Sequence, residues 1–145
     1  MMVHHEQRIV RCSQQSMFAV ILDIESYPEF VPGWNAARIH SHKNDQLLVD
    51  QQLGVGPLHW NFTSSASYRQ PEEVVIRSLD GPFKQLEINW RLARAVENHC
   101  NAELRIRAEL SSIVFQNMVK RLFTRSSRDL ITLFEQRACL RESSA

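Results

Sequence analysis

The feature that most constrains this chain is a hydrophobic period of two that runs from about Asn35 to Leu110. Such alternation is typical of strands that bury one face and expose the other. Turn sequences rich in Gly, Pro, Asn and Asp interrupt it and leave about six strand candidates, as in an antiparallel meander. A sheet of this kind has to be covered on its apolar face only. The clearest apolar positions are Leu58, Trp60, Phe62, Ala66 and Tyr68 in one strand, Leu86, Ile88, Trp90 and Leu92 in another, and Ala102, Leu104, Ile106, Ala108 and Leu110 in a third.

The segments on either side of this region supply one more strand and the predicted helices. A strand from about Val3 to Cys12 precedes a short helix with Ser13 as its N-cap. A second short helix follows, with Ser26 as its cap and Glu29 at the capping-box position. From about Ser112 to Leu140 a helical period runs without Gly or Pro, which predicts one long C-terminal helix packed across the sheet.

The composition fits a single α+β domain over residues 1–145. The chain is 43% hydrophobic and 23% charged, which argues against disorder, and its net charge of +1 predicts no avid binding of polyanions. The longest apolar run, Met17–Leu22, is far shorter than the roughly 20 residues of a membrane span. The three cysteines form no C-x-x-C pair, and the first residues lack the pattern of a signal peptide. We therefore expect a cytoplasmic protein without a transmembrane segment.

The helix-facing side of the predicted sheet mixes large and small side chains. A twisted sheet around one amphipathic helix tends to leave a gap, which such side chains line as a cavity. The same side chains can also interdigitate into an ordinary packed core, and the pattern alone leaves both interpretations open. The positions are Trp60, Phe62 and Trp90 beside Ser64, Ala66, Ala102 and Ala108, with Ser126 in the middle of the helix's apolar arc.

Three stretches of sequence resemble one known family. They are residues 26–34 (Ser-Tyr-Pro-Glu-Phe-Val-Pro-Gly-Trp), residues 80–86 (Asp-Gly-Pro-Phe-Lys-Gln-Leu) followed by Trp90, and residues 133–138 near the C-terminus. They are similar to the coenzyme Q-binding and ribosome-association-toxin branch of the START-like (polyketide cyclase/dehydrase) superfamily. The chain departs from the family at Gly33-Trp34, where an aromatic residue and Cys are common, and in its last strand, which is less aromatic.

The resemblance implies a fold and two alternative roles. The fold is a helix grip, in which a curved antiparallel sheet of about seven strands wraps around a long C-terminal helix, with two short helices after the first strand. Between sheet and helix lies an elongated apolar pocket, which in mitochondrial relatives is thought to hold an isoprenoid quinone. Some bacterial relatives are instead described as acting on the large ribosomal subunit.

The pattern and the resemblance together predict the residues of the pocket. Tyr27, Phe30 and Phe83 lie in stiff, proline-containing segments that either gate the pocket mouth or plug the end of the core. The predicted pocket residues are Tyr27, Phe30, Trp34, Trp60, Phe62, Phe83, Trp90, Phe115, Met118, Leu122 and Ser126.

The sequence contains no recognisable catalytic or metal-binding motif. It has no H-E-x-x-H, no G-x-S-x-G and no P-loop, so we predict no catalytic residues and no metal site. His40 and His42 alternate on one strand face without a third ligand at suitable spacing, which favours a solvent-facing pair. One enzymatic alternative is a small cyclase or dehydrase that uses Ser64, Tyr68, Ser126 or Arg137 as interior polar groups. Arg137 more readily extends to the rim of the pocket.

A cluster of cations lies in the predicted C-terminal helix. Residues 112–128 contain four cations and no acid, a pattern that suits rRNA phosphates or anionic lipid headgroups and equally a solvated helix face. These residues are Lys120, Arg121, Arg125 and Arg128.

Taken together, these features predict a non-enzymatic protein that binds an apolar ligand and supports respiration. The expected ligand is ubiquinone or a related isoprenoid lipid, and no cofactor is required. The first alternative is a toxin that binds the large ribosomal subunit and inhibits translation, and the second is the cyclase. The expected location is the cytoplasm, with peripheral contact at the inner membrane as a further option.

Overall fold

The computed structural model describes the backbone of residues 1–125 and 129–144 and the side chains of residues 1–121 and 129–143. Seven strands form one sheet in the order β1-β7-β6-β5-β4-β3-β2, and every neighbouring pair is antiparallel. The strands are β1 (Met2–Val10), β2 (Trp34–Lys43), β3 (Gln46–Val55), β4 (Leu58–Arg69), β5 (Glu73–Ser78), β6 (Phe83–Arg94) and β7 (Cys100–Leu110). The helices are α1 (Gln14–Leu22), a 3₁₀ helix (Ile24–Glu29), α2 (Ile113–Arg125) and α3 (Leu130–Ser144).

The alternation in the sequence corresponds to the two faces of this sheet. In β7 the side chains of Ala102, Leu104 and Ile106 are buried, whereas those of Arg105 and Arg107 between and after them are exposed. The predicted fold class, an α+β helix grip with a curved antiparallel sheet of about seven strands and two short helices after the first strand, is confirmed.

The two short helices differ in how well the sequence predicted their starts. Ser13 caps α1 as expected, because its hydroxyl accepts the amide of Ser16 at 3.1 Å. The second helix is a 3₁₀ helix that begins at Ile24, so the prediction that Ser26 caps it was wrong. The hydroxyl of Ser26 instead donates to the carboxylate of Asp23 at 2.7 Å, and Glu29 forms an ion pair with Arg137.

The C-terminal cover consists of two helices, so the prediction of one long helix was wrong. Asp129 lies outside both helices and caps α3, since its carboxylate accepts the amide of Thr132 at 2.8 Å. Glu6 of β1 accepts the amides of Leu130 and Ile131 at 3.2 and 3.0 Å. The first backbone amides of a helix need hydrogen-bond acceptors from outside the helix. The carboxylates of Glu6 and Asp129 supply these acceptors, and α3 therefore begins at residue 130.

One end of the sheet carries most of the connections near the helices, and we call it the α2 end. The β3–β4 turn, the β5–β6 connection and the β7–α2 junction all lie there because the strands are antiparallel. Gly81 in the β5–β6 connection has a φ of +62°, and a Cβ there would collide with the carbonyl oxygen of Asn61. Only glycine therefore lets this connection lie directly on β4. The amide of Ser111 donates to the carbonyl of Pro82 at 2.8 Å and ties the start of α2 to the same connection.

Asp23, after the last residue of α1, connects this helix to α3 and makes stability depend on pH. Partial burial alone would raise the pKa of its carboxyl, but hydrogen bonds from Arg141 and Ser26 outweigh burial and hold the pKa below its usual value. A lowered folded-state pKa gives stability that is present above the unfolded-state pKa, near 4, and is lost as the pH falls. We expect the free energy of unfolding to fall less steeply between about pH 5 and pH 3 in Asp23→Asn than in the wild type. Urea unfolding at several pH values tests this, and equal slopes would contradict it.

Candidate ligand-binding cavity

A cavity of about 140 Å³ lies between the concave face of the sheet and the helices. The sheet contributes side chains from every strand except β4, and the other side comes from the 3₁₀ helix and the segment after it, α2 and α3. Pro32 in its wall is exposed and Met2, Val119 and Leu130 are half-buried, so the cavity reaches the protein surface there. The interior is therefore not filled completely by its own side chains.

Six of the predicted pocket residues lie in the wall of this cavity. They come from four different parts of the chain, which the fold brings together at the α2 end and along β6. These residues are Tyr27, Trp34, Phe83, Trp90, Phe115 and Met118. Two small irregularities in strand pairing, next to Trp34 in β2 and next to Phe83 in β6, accompany this arrangement. Such bulges locally increase strand twist and redirect side chains.

Three other predicted pocket residues lie outside the wall and support it from behind. Phe30 contacts Phe134, with 5.0 Å between ring centroids, and Trp60 contacts Phe115 at 4.9 Å. Phe62 contacts Phe83 at 5.0 Å. All these contacts are edge-to-face, the arrangement that aromatic quadrupoles favour.

Two predicted pocket residues and two predicted basic residues cannot be placed. The side chains of Leu122 and Arg125 lie outside the described residues, as do Ser126 and Arg128 entirely.

Phe134 of α3 is one of several wall residues that were not among the predicted pocket residues. Its ring lies 4.9 Å from Trp90, 5.3 Å from Tyr27 and 5.0 Å from Phe30, at the centre of an aromatic cluster. Its place on the apolar arc of the C-terminal segment was the available signal, but nothing in the sequence indicates which residue of that arc faces Trp90.

The polar atoms of Tyr27 and Trp34 are already bound within the protein. The hydroxyl of Tyr27 donates to the carbonyl of Ile21, and burial raises the pKa of this phenol far above its usual value. The indole of Trp34 donates to Gln51 at 2.9 Å, and the amide of Gln51 donates to Ser64. Among the described residues that line the cavity none carries a charge. The wall therefore favours an apolar occupant, since a polar one would lose hydrogen bonds to water.

Among the described residues, three of the interior polar groups proposed for a cyclase, Ser64, Tyr68 and Arg137, do not line the cavity, and Ser126 lies outside the described residues. Ser64 is bound to Gln51, and the hydroxyl of Tyr68 lies 2.8 Å from the imidazole of His42. The guanidinium of Arg137 pairs with Glu29 at 2.7 Å and lies 5.3 Å from the ring centre of Phe30, as expected for a side chain at the rim.

The histidines and the cations are at the surface. His40 pairs with Asp50 at 2.9 Å, and His42 is also exposed. In the described part of the chain no three His, Cys, Asp or Glu side chains are grouped closely enough to hold a metal ion. Lys120 and Arg121 are exposed on α2. Within the same described part, no helix is both long enough and apolar enough to cross a bilayer.

A curved antiparallel sheet that closes on helices around an apolar cavity defines a START-like helix-grip domain. Residues 10–135 match the family described as polyketide cyclase/dehydrase and lipid transport, and the chain belongs to this family. The resemblance seen in the sequence is thereby confirmed.

Comparison with individual proteins shows relatives of different kinds. The chain is 25% identical over 130 residues to the ribosome association toxin RatA of Vibrio cholerae, covering 90% of each chain. It is also 25% identical over 122 residues to the mitochondrial coenzyme Q-binding protein COQ10 of Drosophila melanogaster, covering 81% of this chain and 50% of that one. The crystal structure of the ZhuI aromatase/cyclase of Streptomyces sp. R1128 superposes with a TM-score of 0.78 at 13% identity, covering 94% and 93%. This last similarity shows the fold alone.

Proposed function

We propose that this protein binds the ring of an isoprenoid lipid, ubiquinone or a close relative, in the cavity and does no covalent chemistry on it. The observation that carries the proposal is an uncharged, aromatic-rich cavity wall that reaches the surface. A relative with the same family fold is named for coenzyme Q binding, which agrees with this ligand class. In the cell such a protein would support respiration from the cytoplasm or from the inner face of a membrane.

The dimensions of the cavity indicate which part of the ligand it would hold. Its volume of about 140 Å³ is close to that of an apolar protein cavity of about 150 Å³ that stays dry and accepts benzene. A single six-membered ring of the size of benzene therefore fits. The substituents of a ubiquinone ring need the wall to widen or to extend to the surface, and the isoprenoid tail would leave past the half-buried Val119 and Leu130. Burial of about 200 Å² of apolar ligand surface would contribute roughly 5 kcal/mol.

The direct test is solvent extraction of the purified protein followed by mass spectrometry for quinones and other lipids. Titration with a short-chain ubiquinone, followed by quenching of tryptophan fluorescence, then gives the affinity. A stoichiometric quinone in the extract supports the proposal. Absence of quinone from the extract together with no saturable quenching would contradict it.

Filling the cavity should weaken binding at least tenfold with little effect on folding. Ile106 lies in the wall, and Ile106→Trp places a large ring in the space that the ligand would occupy. We expect the affinity for the short-chain quinone to fall at least tenfold, about 1.4 kcal/mol. Ile9→Trp adds the same side chain at an exposed site at the opposite end of the sheet and serves as the matched control. Unchanged affinity in Ile106→Trp would show that the ligand binds elsewhere.

A second candidate function, action on the large ribosomal subunit, has its own support. Several relatives named ribosome association toxin match over most of this chain, and residues 112–128 contain four cations and no acid. If these cations contact rRNA, co-sedimentation with ribosomes should weaken steeply with salt. The triple variant Arg121→Ser, Arg125→Ser and Arg128→Ser should then lose co-sedimentation at low salt, whereas removal of Arg77 and Arg91 on the outer sheet face should not.

A further inference from the structure

Large apolar side chains that face water are concentrated at the α2 end of the sheet. Scattered single side chains of this kind are normal on protein surfaces, but a group of them marks an interaction site. Exposed Met1 and Val3, at the start of β1, also lie at this end. Five others lie on the β3–β4 turn, the β5–β6 connection and the start of α2, and we call these five the apolar edge. They are Val55 (40% exposed), Leu58 (51%), Leu79 (79%), Ile113 (73%) and Val114 (55%).

Contacts between the underlying segments make the apolar edge one surface. The ring contact between Trp60 and Phe115, at 4.9 Å, brings the start of β4 against the start of α2. The hydrogen bond from Ser111 to Pro82 joins the start of α2 to the β5–β6 connection that carries Leu79. The three segments that contribute to the edge are thus held together by the core beneath them.

The apolar edge also lies beside the cavity. Phe115 and Met118, in the first turns of α2, line the cavity, whereas Ile113 and Val114 of the same turns face outward. Phe83, directly after the β5–β6 connection, is another wall residue. Two of the residues at which the cavity reaches the surface, Met2 and Pro32, lie at the same end of the sheet, because Met2 pairs with Ala108 and Pro32 comes shortly before Trp34, which pairs with Leu53.

The charges on α2 identify the kind of partner that fits this edge. Lys120 and Arg121 follow Ile113 and Val114 by seven residues, which in a helix is the same face about 10 Å further along the axis. An amphipathic segment inserts its apolar part roughly 5–10 Å into a bilayer and places cations among the headgroups. Anionic headgroups attract such cations.

We propose that the apolar edge docks on an anionic lipid bilayer, with Ile113, Val114, Leu58 and Leu79 among the acyl chains and the cations of α2 at headgroup level. The bilayer would then be the source from which the proposed ligand reaches the cavity. This part of the docking proposal rests on the proposed function. The docked protein faces the bilayer with the end of the sheet that holds Met2 and Pro32, two of the residues at which its cavity reaches the surface.

Vesicle flotation tests the docking directly. Wild-type protein is mixed with phosphatidylcholine vesicles with and without phosphatidylglycerol, and the bound fraction is measured after centrifugation. We expect binding to the anionic vesicles, and at least a tenfold lower partition coefficient for the triple variant Leu58→Ser, Ile113→Ser and Val114→Ser. The matched control is Ile9→Ser with Val96→Ser, two comparably exposed apolar residues at the opposite end, which should change partitioning less than twofold.

The outcomes separate the docking proposal from the proposed function. Each variant is also titrated with the short-chain quinone, which needs no membrane, and near-ultraviolet circular dichroism shows whether it is folded. If wild-type protein floats and the folded triple variant does not, docking stands even when no quinone binds. Absence of flotation, or equal loss in the control variant, overturns docking even when quinone binds. If the variant Leu58→Ser, Ile113→Ser and Val114→Ser still floats with vesicles but no longer co-sediments with ribosomes, the apolar edge is a ribosome contact and the docking proposal is overturned.

Discussion

Replacing Phe134 with alanine is expected to lower the free energy of unfolding by about 3–5 kcal/mol. The ring is 4% exposed and lies in edge-to-face or tilted contact with Tyr27, Phe30 and Trp90. Loss of the ring removes these contacts and leaves a void that adjoins the existing cavity. For a domain whose total stability is about 5–15 kcal/mol, such a change is a large fraction of the whole. Urea unfolding followed by circular dichroism would measure it.

A conservative variant distinguishes the role of the aromatic ring from that of apolar volume. Phe134→Leu keeps most of the side-chain volume. The free energy of unfolding should fall by less than about 1.5 kcal/mol from the change in packing, together with the energy of the lost aromatic contacts. Added benzene should raise the melting temperature of Phe134→Ala more than that of Phe134→Leu, because the new void adjoins an apolar space. A loss below about 1 kcal/mol in Phe134→Ala would show that the cluster repacks and that α3 is not fixed by it.

The strands could be predicted because each of them buries only one face, which gives a local alternation of apolar and polar residues. In β6 and β7 every second residue is apolar over most of the strand, and burial alternates with that pattern throughout most of β7 and at Leu86, Trp90 and Leu92 of β6. The same signal placed Trp90 in the cavity wall, since its position within the strand fixes the face it occupies. Phe83 is an odd number of residues from Trp90 and lies next to a register shift in the pairing of β6 with β7, so its place in the wall was predicted from the proline-containing segment and the family resemblance, not from alternation.

The break between α2 and α3 could not be predicted in the same way. The apolar period continues from Ile113 to Phe134 without Gly or Pro, so local sequence favours one helix. What fixes a new start at residue 130 is Glu6, which lies more than 120 residues earlier and reaches the first amides of α3. Because this acceptor is so distant in sequence, the only local indication of the helix start is Asp129, whose carboxylate caps α3.

Phe30, Trp60 and Phe62 illustrate a different limit. Each lies on the apolar side of its element and each is packed against a wall residue, but none of them touches the cavity. Alternation gives the face of the sheet on which a side chain lies. Whether that side chain reaches the cavity or supports another ring depends on the curvature of the sheet, which the pattern does not encode.

Glu135 is the second residue whose removal should have a large effect. Its carboxylate is 6% exposed and accepts hydrogen bonds from the guanidinium of Arg8 and from the backbone amide of Arg11, both at 2.9 Å. These bonds fix α3 to β1 and to the segment before α1. We expect Glu135→Ala to lower the free energy of unfolding by about 2–3 kcal/mol, because the Arg11 amide loses its acceptor and the buried pair is broken. The loss is smaller than for a fully buried pair, since water can solvate Arg8, whose side chain is 38% exposed.

A double-mutant cycle with Arg8→Ala separates the ion pair from the backbone contact. Arg8→Ala alone leaves the buried carboxylate with the Arg11 amide and with the exposed Arg11 guanidinium at 3.8 Å. The coupling between positions 8 and 135 should be about 1–2 kcal/mol. The exposed pair between Arg77 and Glu87, at 3.1 Å on the outer sheet face, is the matched control and should couple by less than about 1 kcal/mol. Equal coupling in the two cycles would show that burial of Glu135 adds nothing to its attraction for Arg8.

Because Glu135 lies next to Phe134 in α3, a loosened contact between α3 and β1 should also weaken quinone binding. The variants of the control cycle should leave the affinity for quinone unchanged.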